Sequence, residues 1–221
     1  MPDLLVLEKP QLQLKLRELV LNTIKACEIT DKIITHQGQS IPNQNPLLTT
    51  CKKNEKRSAE MRLVLTELAG DANACGRYSR REIVLGNVII SNMESIMNAL
   101  LQISENKVAA YNAENSKATA EISLLTTHIL TILKSLLKKL SSALRRKVSI
   151  PKINMAFNLE LKIQNVLGIV LETRDNKNLH EMLEIIYAVE SLDRSIIQCA
   201  KCLTSLQSVG YSKRGNGEQT R

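Results

Sequence analysis

The sequence predicts an all-α fold, an up-and-down bundle of five to six long antiparallel helices with coiled-coil-like seams. Three observations carry that expectation. Apolar residues recur at alternating spacings of three and four over long stretches, the signature of a helix face turned to a neighbouring helix. Only eight Gly and five Pro occur in 221 residues, too few for a many-stranded fold that needs a turn signal every ~8–12 residues. The apolar 43% of the chain is nearly all aliphatic, with one Phe, four Tyr and no Trp. Aliphatic side chains suffice to fill the narrow seam between long helices, whereas compact enzymes rely on aromatic rings for thick cores and pockets.

The first helix is expected from about 10 to 36. Pro10 suits a first turn, and Leu12, Leu16, Leu19, Thr23, Ala26, Thr30 and Ile33 form a heptad seam that Leu14, Val20, Ile24 and Ile34 widen. Residues 37–53 hold Gly38, Pro42, Pro46 and a polar run, which reads as a mobile connection. A second helix is expected to start at Asn54 as its cap and to turn Ala59, Leu63, Leu65 and Leu68 inward before Gly70 and Gly76 end it by about 77.

From 79 to 149 there is no proline and a single glycine, Gly86. Ile89, Met93, Ile96, Leu100 and Ile103 keep helical spacing, as do Ile122, Leu125, Ile129, Ile132, Leu136, Leu140 and Ala143. The polar segment 104–116 is expected to turn a helical hairpin, with one continuous rod ~100 Å long as the alternative. Pro151 closes this stretch. A fifth helix is expected through Ile153, Phe157, Leu161 and Leu167, and a sixth from Asn176 or Asn178 to 208 through Leu179, Leu183, Ile186, Val189, Ile196 and Leu203. Residues 1–209 then form one domain, and 210–221 read as a disordered tail.

The motifs of catalysis and metal binding are absent. There is no phosphate loop, nucleophile elbow or dinucleotide fingerprint. His36, His128 and His180 fall on different helices, and Glu184 stands where a zinc-binding His-Glu-X-X-His site would need its second imidazole. Cys199 and Cys202 form a Cys-X-X-Cys deep inside the sixth helix, away from the helix N-terminus that lowers a redox thiol's pKa. They read as small packing residues. No enzyme, metal or cofactor is expected.

The five cysteines are scattered and odd in number, as in reduced intracellular proteins. The apolar run near the N-terminus, 4–7, is too short for a secretory signal. The longest uncharged apolar stretch, 122–133, has twelve residues against the ~20 that span a bilayer. An intracellular address, cytoplasmic or nuclear, without a transmembrane segment is expected.

The net charge of +8 points to acidic partners, and its densest expression lies between Glu121 and Glu160. That interval has no acidic residue and contains Lys134, Lys138, Lys139, Arg145, Arg146, Lys147 and Lys152. At helical spacing Lys134, Lys138 and Arg145 share one face and Lys139 and Arg146 an adjoining one, opposite the apolar stripe. Part of this pattern is explained by the helix dipole, which favours cations at a C-terminus by ~0.3–1 kcal/mol. Ser149, three residues after Arg146, matches what basophilic kinases accept, and a phosphate there would weaken any anionic contact. The expectation is a structural or adaptor protein of a cytoskeletal or larger assembly, binding acidic protein surfaces through the basic helix 117–149. Helix sharing along the seams allows self-association, and the alternative is nucleic acid or an anionic membrane surface on the same residues.

Overall fold

The computed structural model describes residues 9–35, 45–70, 79–111, 116–145, 159–172 and 178–211. They form six helices: α1 (Lys9–Thr35), α2 (Asn45–Gly70), α3 (Arg80–Tyr111), α4 (Ser116–Arg145), α5 (Leu159–Leu171) and α6 (Leu179–Tyr211). The fold is an all-α helical bundle.

Local chemistry accounts for the helix ends. Pro10 and Pro46 each sit in a first turn, where a missing N–H costs nothing. Ser79 and Glu82 form a reciprocal capping box ahead of α3. The Ser79 amide donates to Glu82 Oε2 at 2.8 Å and the Glu82 amide donates to Ser79 Oγ at 3.2 Å, so two orphan donors are satisfied. The Met182 amide donates to the Asn178 carbonyl at 3.1 Å and closes the first turn of α6.

Every seam residue expected in α1, from Leu12 to Ile33, is buried, as are Val20, Ile24 and Ile34; Leu14 is exposed. The seams expected in α3 and α4 are buried too, with Ile132 and Ala143 partly covered at the edge.

The α2 expectation needs correction. Pro46 starts the helix rather than breaking a loop, so α2 begins at Asn45 and takes in the second half of the connection expected at 37–53; residues 37–44 lie outside the described residues. Asn54 is not a cap but a seam residue, 2% exposed. The inward row is Leu47, Cys51, Asn54, Ser58, Met61 and Leu65, an alternation of four and three that polar residues disguise. Ala59 and Leu63 face outward. Asn54 is tied down by both neighbours on α1. It donates to Thr23 Oγ1 at 3.3 Å and accepts from Asn22 Nδ2 at 3.4 Å, and a buried amide at a seam penalises any other register. In α5 the inward row is Leu159, Ile163, Val166 and Val170, while Leu161, expected inside, is 57% exposed.

Side-chain pairs fix directions. Asn22 meets Asn54 and Glu18 meets Arg57, so α1 and α2 are antiparallel. Asn92 donates to the Ser195 carbonyl, Ser95 meets Ser191 and Gln102 donates to Glu184, so α3 and α6 are antiparallel. α3 and α4 each lie along both α1 and α6, which excludes the continuous rod. They are not a side-by-side hairpin either, since each takes α1 and α6 as its broad neighbours and the pair stands on a diagonal of the bundle. The turn expected over 104–116 is correspondingly shorter: α3 runs through Tyr111 and α4 starts at Ser116.

The neighbours form a regular pattern. α1, α2 and α3 pack on one another, α4, α5 and α6 pack on one another, and the two trios meet through α1 on α4 and α3 on α6. Exchanging α1 with α4, α2 with α5 and α3 with α6 leaves this pattern unchanged. The neighbour pattern is that of two three-helix units, joined where α1 meets α4 and α3 meets α6.

Candidate partner-binding surface

The basic stretch of the sequence divides on α4. Lys138, Lys139 and Arg145 are exposed, and Arg145 closes the last turn, where the dipole favours it. Lys134 turns to the edge of the core and donates to Asp31 Oδ2 of α1 at 2.6 Å. It is a tether between helices, not part of an open strip. Arg146, Lys147, Lys152 and Ser149 lie outside the described residues, as does His36.

Neighbouring helices supply cations that sequence reasoning missed. α1 packs against both α2 and α4; Lys25 and Lys32 of α1 are exposed, as are Lys52, Lys53 and Lys56 of α2. Across α1, α2 and α4, fifteen Lys and Arg face seven Asp and Glu. Across α3, α5 and α6 the ratio inverts, with six Lys and Arg to eight Asp and Glu. A basic side therefore adjoins α1 and an acidic side adjoins α6, and the two helices lie on the other diagonal. The run Lys52, Lys53, Lys56, Arg57 was visible in the sequence, but not that its helix packs on α1, as α4 with Lys138 does.

The acidic side is concentrated where α5 crosses α6. Burial first, then the neighbouring Glu160 and Glu190 carboxylates, hold the Asp193 carboxyl above its ordinary range against the opposing pull of Arg194. Three carboxylates thus share one neighbourhood.

The four cysteines among the described residues, Cys27, Cys51, Cys199 and Cys202, are buried free thiols. Cys199 and Cys202 are buried at the seam of α6, and Asn92 donates to Cys199 Sγ at 3.1 Å. Burial pushes Cys199 up to about 12, with Cys202 beside it adding to the effect. It pushes Cys202 and Cys51 up to about 11 and raises Cys27 against the pull of Lys134. A raised pKa keeps a thiol protonated, and only the thiolate attacks. At about pH 8 native protein should therefore resist alkylation at these four positions, and all four should react once it is unfolded. Rapid labelling of native Cys199 or Cys202, read by mass spectrometry of the digest, is the contrary result.

Among the described residues no three His, Cys, Asp or Glu side chains gather to hold a metal ion; His128 and His180 are exposed. Two helical segments, Arg80–Asn106 and Lys117–Arg145, are long and apolar enough to cross a bilayer by length and composition, each with a mean hydropathy of 1.3. Half of the first and 44% of the second are buried in the bundle, which any core helix of a bundle shares.

The described residues form an all-α helical bundle in which α1, α2 and α4 carry an excess of cations and α3, α5 and α6 an excess of anions. No protein-family model, no curated protein and no solved structure matches the chain.

Proposed function

We propose that the chain is a non-enzymatic structural or adaptor protein, an intracellular subunit of a cytoskeletal or larger assembly, that binds an acidic protein surface through its α1–α2–α4 side. The observation that carries this reading is the partition of charge: cations outnumber anions about two to one on α1 and its neighbours α2 and α4 and are outnumbered on the other three helices. A charge that served only solubility needs no such sorting. Complementary charge steers encounter and fixes orientation, while neighbouring apolar contact adds lifetime; the exposed Leu14 and Leu21 of α1 would supply such contact. Docking on an anionic membrane would instead call for the apolar face of α4, and Ile129, Leu133, Leu136 and Leu140 are already spent in the core.

The test is an affinity capture from native extract with two baits, the wild type and Lys25→Gln/Lys138→Gln/Lys139→Gln/Arg145→Gln, with Lys134 left in place to keep its tether. A defined set of proteins lost with the variant is the expected result. An identical set from both baits overturns the reading. Nucleic acid as the captured species, lost steeply between about 50 and 200 mM salt, replaces it with a phosphate-binding one.

A further inference from the structure

We propose that the acidic surface fitting the basic side is the α5–α6 side of a second copy of this chain, so that copies associate head to tail. The inference rests on the reading that the α1–α2–α4 side is an interface, and it names the occupant.

Position comes first. α1 and α6 stand on a diagonal, with α3 and α4 between them. Lys25 of α1 and Lys56 of α2 therefore lie on helices without a broad contact to α5 or α6, whereas Lys138 lies on α4, which packs on both; within one chain the α1–α2 cations stand apart from Glu160, Glu190 and Asp193. A second copy can bring them together. An isologous contact would place like charges together on either side, so the association is heterologous and continues from copy to copy unless a ring closes it.

Size permits it. At 1.5 Å per residue α1 and α6 are about 40 and 50 Å long, and a strip roughly 20 Å wide along them matches the ~800 Å² per partner of a stable interface. Glu160 and Glu190 both lie near enough to Asp193 to add to the effect of burial in raising its carboxyl, and a cation brought beside Asp193 would oppose the like-charge part of that effect.

The net charge of +8 opposes association at long range but does not decide it. At ~0.15 M salt the Debye length is ~8 Å, so only the touching faces are felt; at ~10 mM it is ~30 Å, and whole copies repel. Association should therefore peak at intermediate salt, being weaker near 10 mM and weaker again near 0.5 M. A purely apolar interface would not decline at the upper end.

The experiment is sedimentation velocity on the full chain and on two neutralised variants, each first shown to keep wild-type helicity and melting temperature. One is Lys25→Gln/Lys56→Gln/Lys138→Gln and the other Glu160→Gln/Glu190→Gln/Asp193→Asn. The wild type should form larger species with that salt optimum. Each variant alone should remain monomeric, and their mixture should stop at a one-to-one dimer, because only one complementary pair of faces survives. A wild type that is monomeric at every salt, a mixture without a dimer, or variants that assemble like the wild type overturns the proposal. If the wild type is monomeric while the basic-side variant still loses proteins from extract, the second copy falls and the acidic-partner reading stands.

Discussion

Leu65→Ala should cost the bundle about 2–4 kcal/mol, whereas Leu63→Ala, two residues away on the same helix, should cost less than about 0.5 kcal/mol. Both leucines are candidates for the core on composition and spacing alone, and the fold separates them. Leu65 is fully buried and Leu63 is 62% exposed. Leu65 also sits where α2 meets α3 most closely. A Cβ built on Gly86 of α3 would lie 3.1 Å from Leu65 Cδ1, with Leu16 of α1 behind it at 3.9 Å. Glycine at 86 lets three helices converge, and truncating the leucine that fills the junction opens a cavity with walls on all sides. Urea titrations followed by circular dichroism measure both variants, and the slope with denaturant should stay unchanged. Equal costs would mean that α2 docks through another face.

Lys134→Met should destabilise by about 2 kcal/mol, and adding Asp31→Leu should recover most of that loss. The two side chains are 20% and 24% exposed, so water screens them less than a surface pair. Asp31 already has one carboxylate oxygen, Oδ1, buried without a hydrogen-bond partner. Removing the lysine leaves the remaining oxygen uncompensated, while replacing both groups removes the desolvation cost together with the attraction. The double-mutant cycle therefore yields a coupling energy of one sign only. Purely additive losses would show that the pair is not formed. The same reasoning dictates that charge variants aimed at the partner surface spare Lys134; otherwise lost binding and lost stability become indistinguishable.

Long helices with apolar seams were legible in the sequence. In α1 the seam is a regular alternation of apolar and small residues, and its whole expected row is buried. α2 was misread because Cys51, Asn54 and Ser58 occupy seam positions, so its apolar count favours the exposed Leu63 as much as the buried Leu65. Periodicity reports which residues share a face but not which shared face is wet. Lys134 shows the same limit: one helical turn from Lys138, it points to Asp31 because α1 lies there. The diagonal placement of α3 and α4 was out of reach for a related reason, since adjacency along the chain does not specify adjacency across a bundle. The partition of charge needed that same knowledge of neighbours. Lys25, Lys56 and Lys138 lie far apart in sequence, and only packing shows that the helices of Lys56 and Lys138 both neighbour that of Lys25.

The exchange pattern of the two trios has a consequence for how the chain comes into being. Within α1–α3 and within α4–α6 the pairings span shorter separations, Leu16 and Gly86 being 70 residues apart, and shorter separations favour faster formation. The α1–α4 and α3–α6 seams join residues roughly a hundred positions apart, as Asn92 and Ser195 do. At about 5–20 residues per second, the first trio leaves the ribosome roughly 5–20 s before the last helix that covers it. For that interval the α6-facing surface of α3, which carries Asn92, Ser95 and Gln102, awaits a partner not yet synthesised, and a neighbouring nascent chain can present the same trio. Vulnerability to aggregation is thus concentrated in a window of translation rather than in the finished molecule.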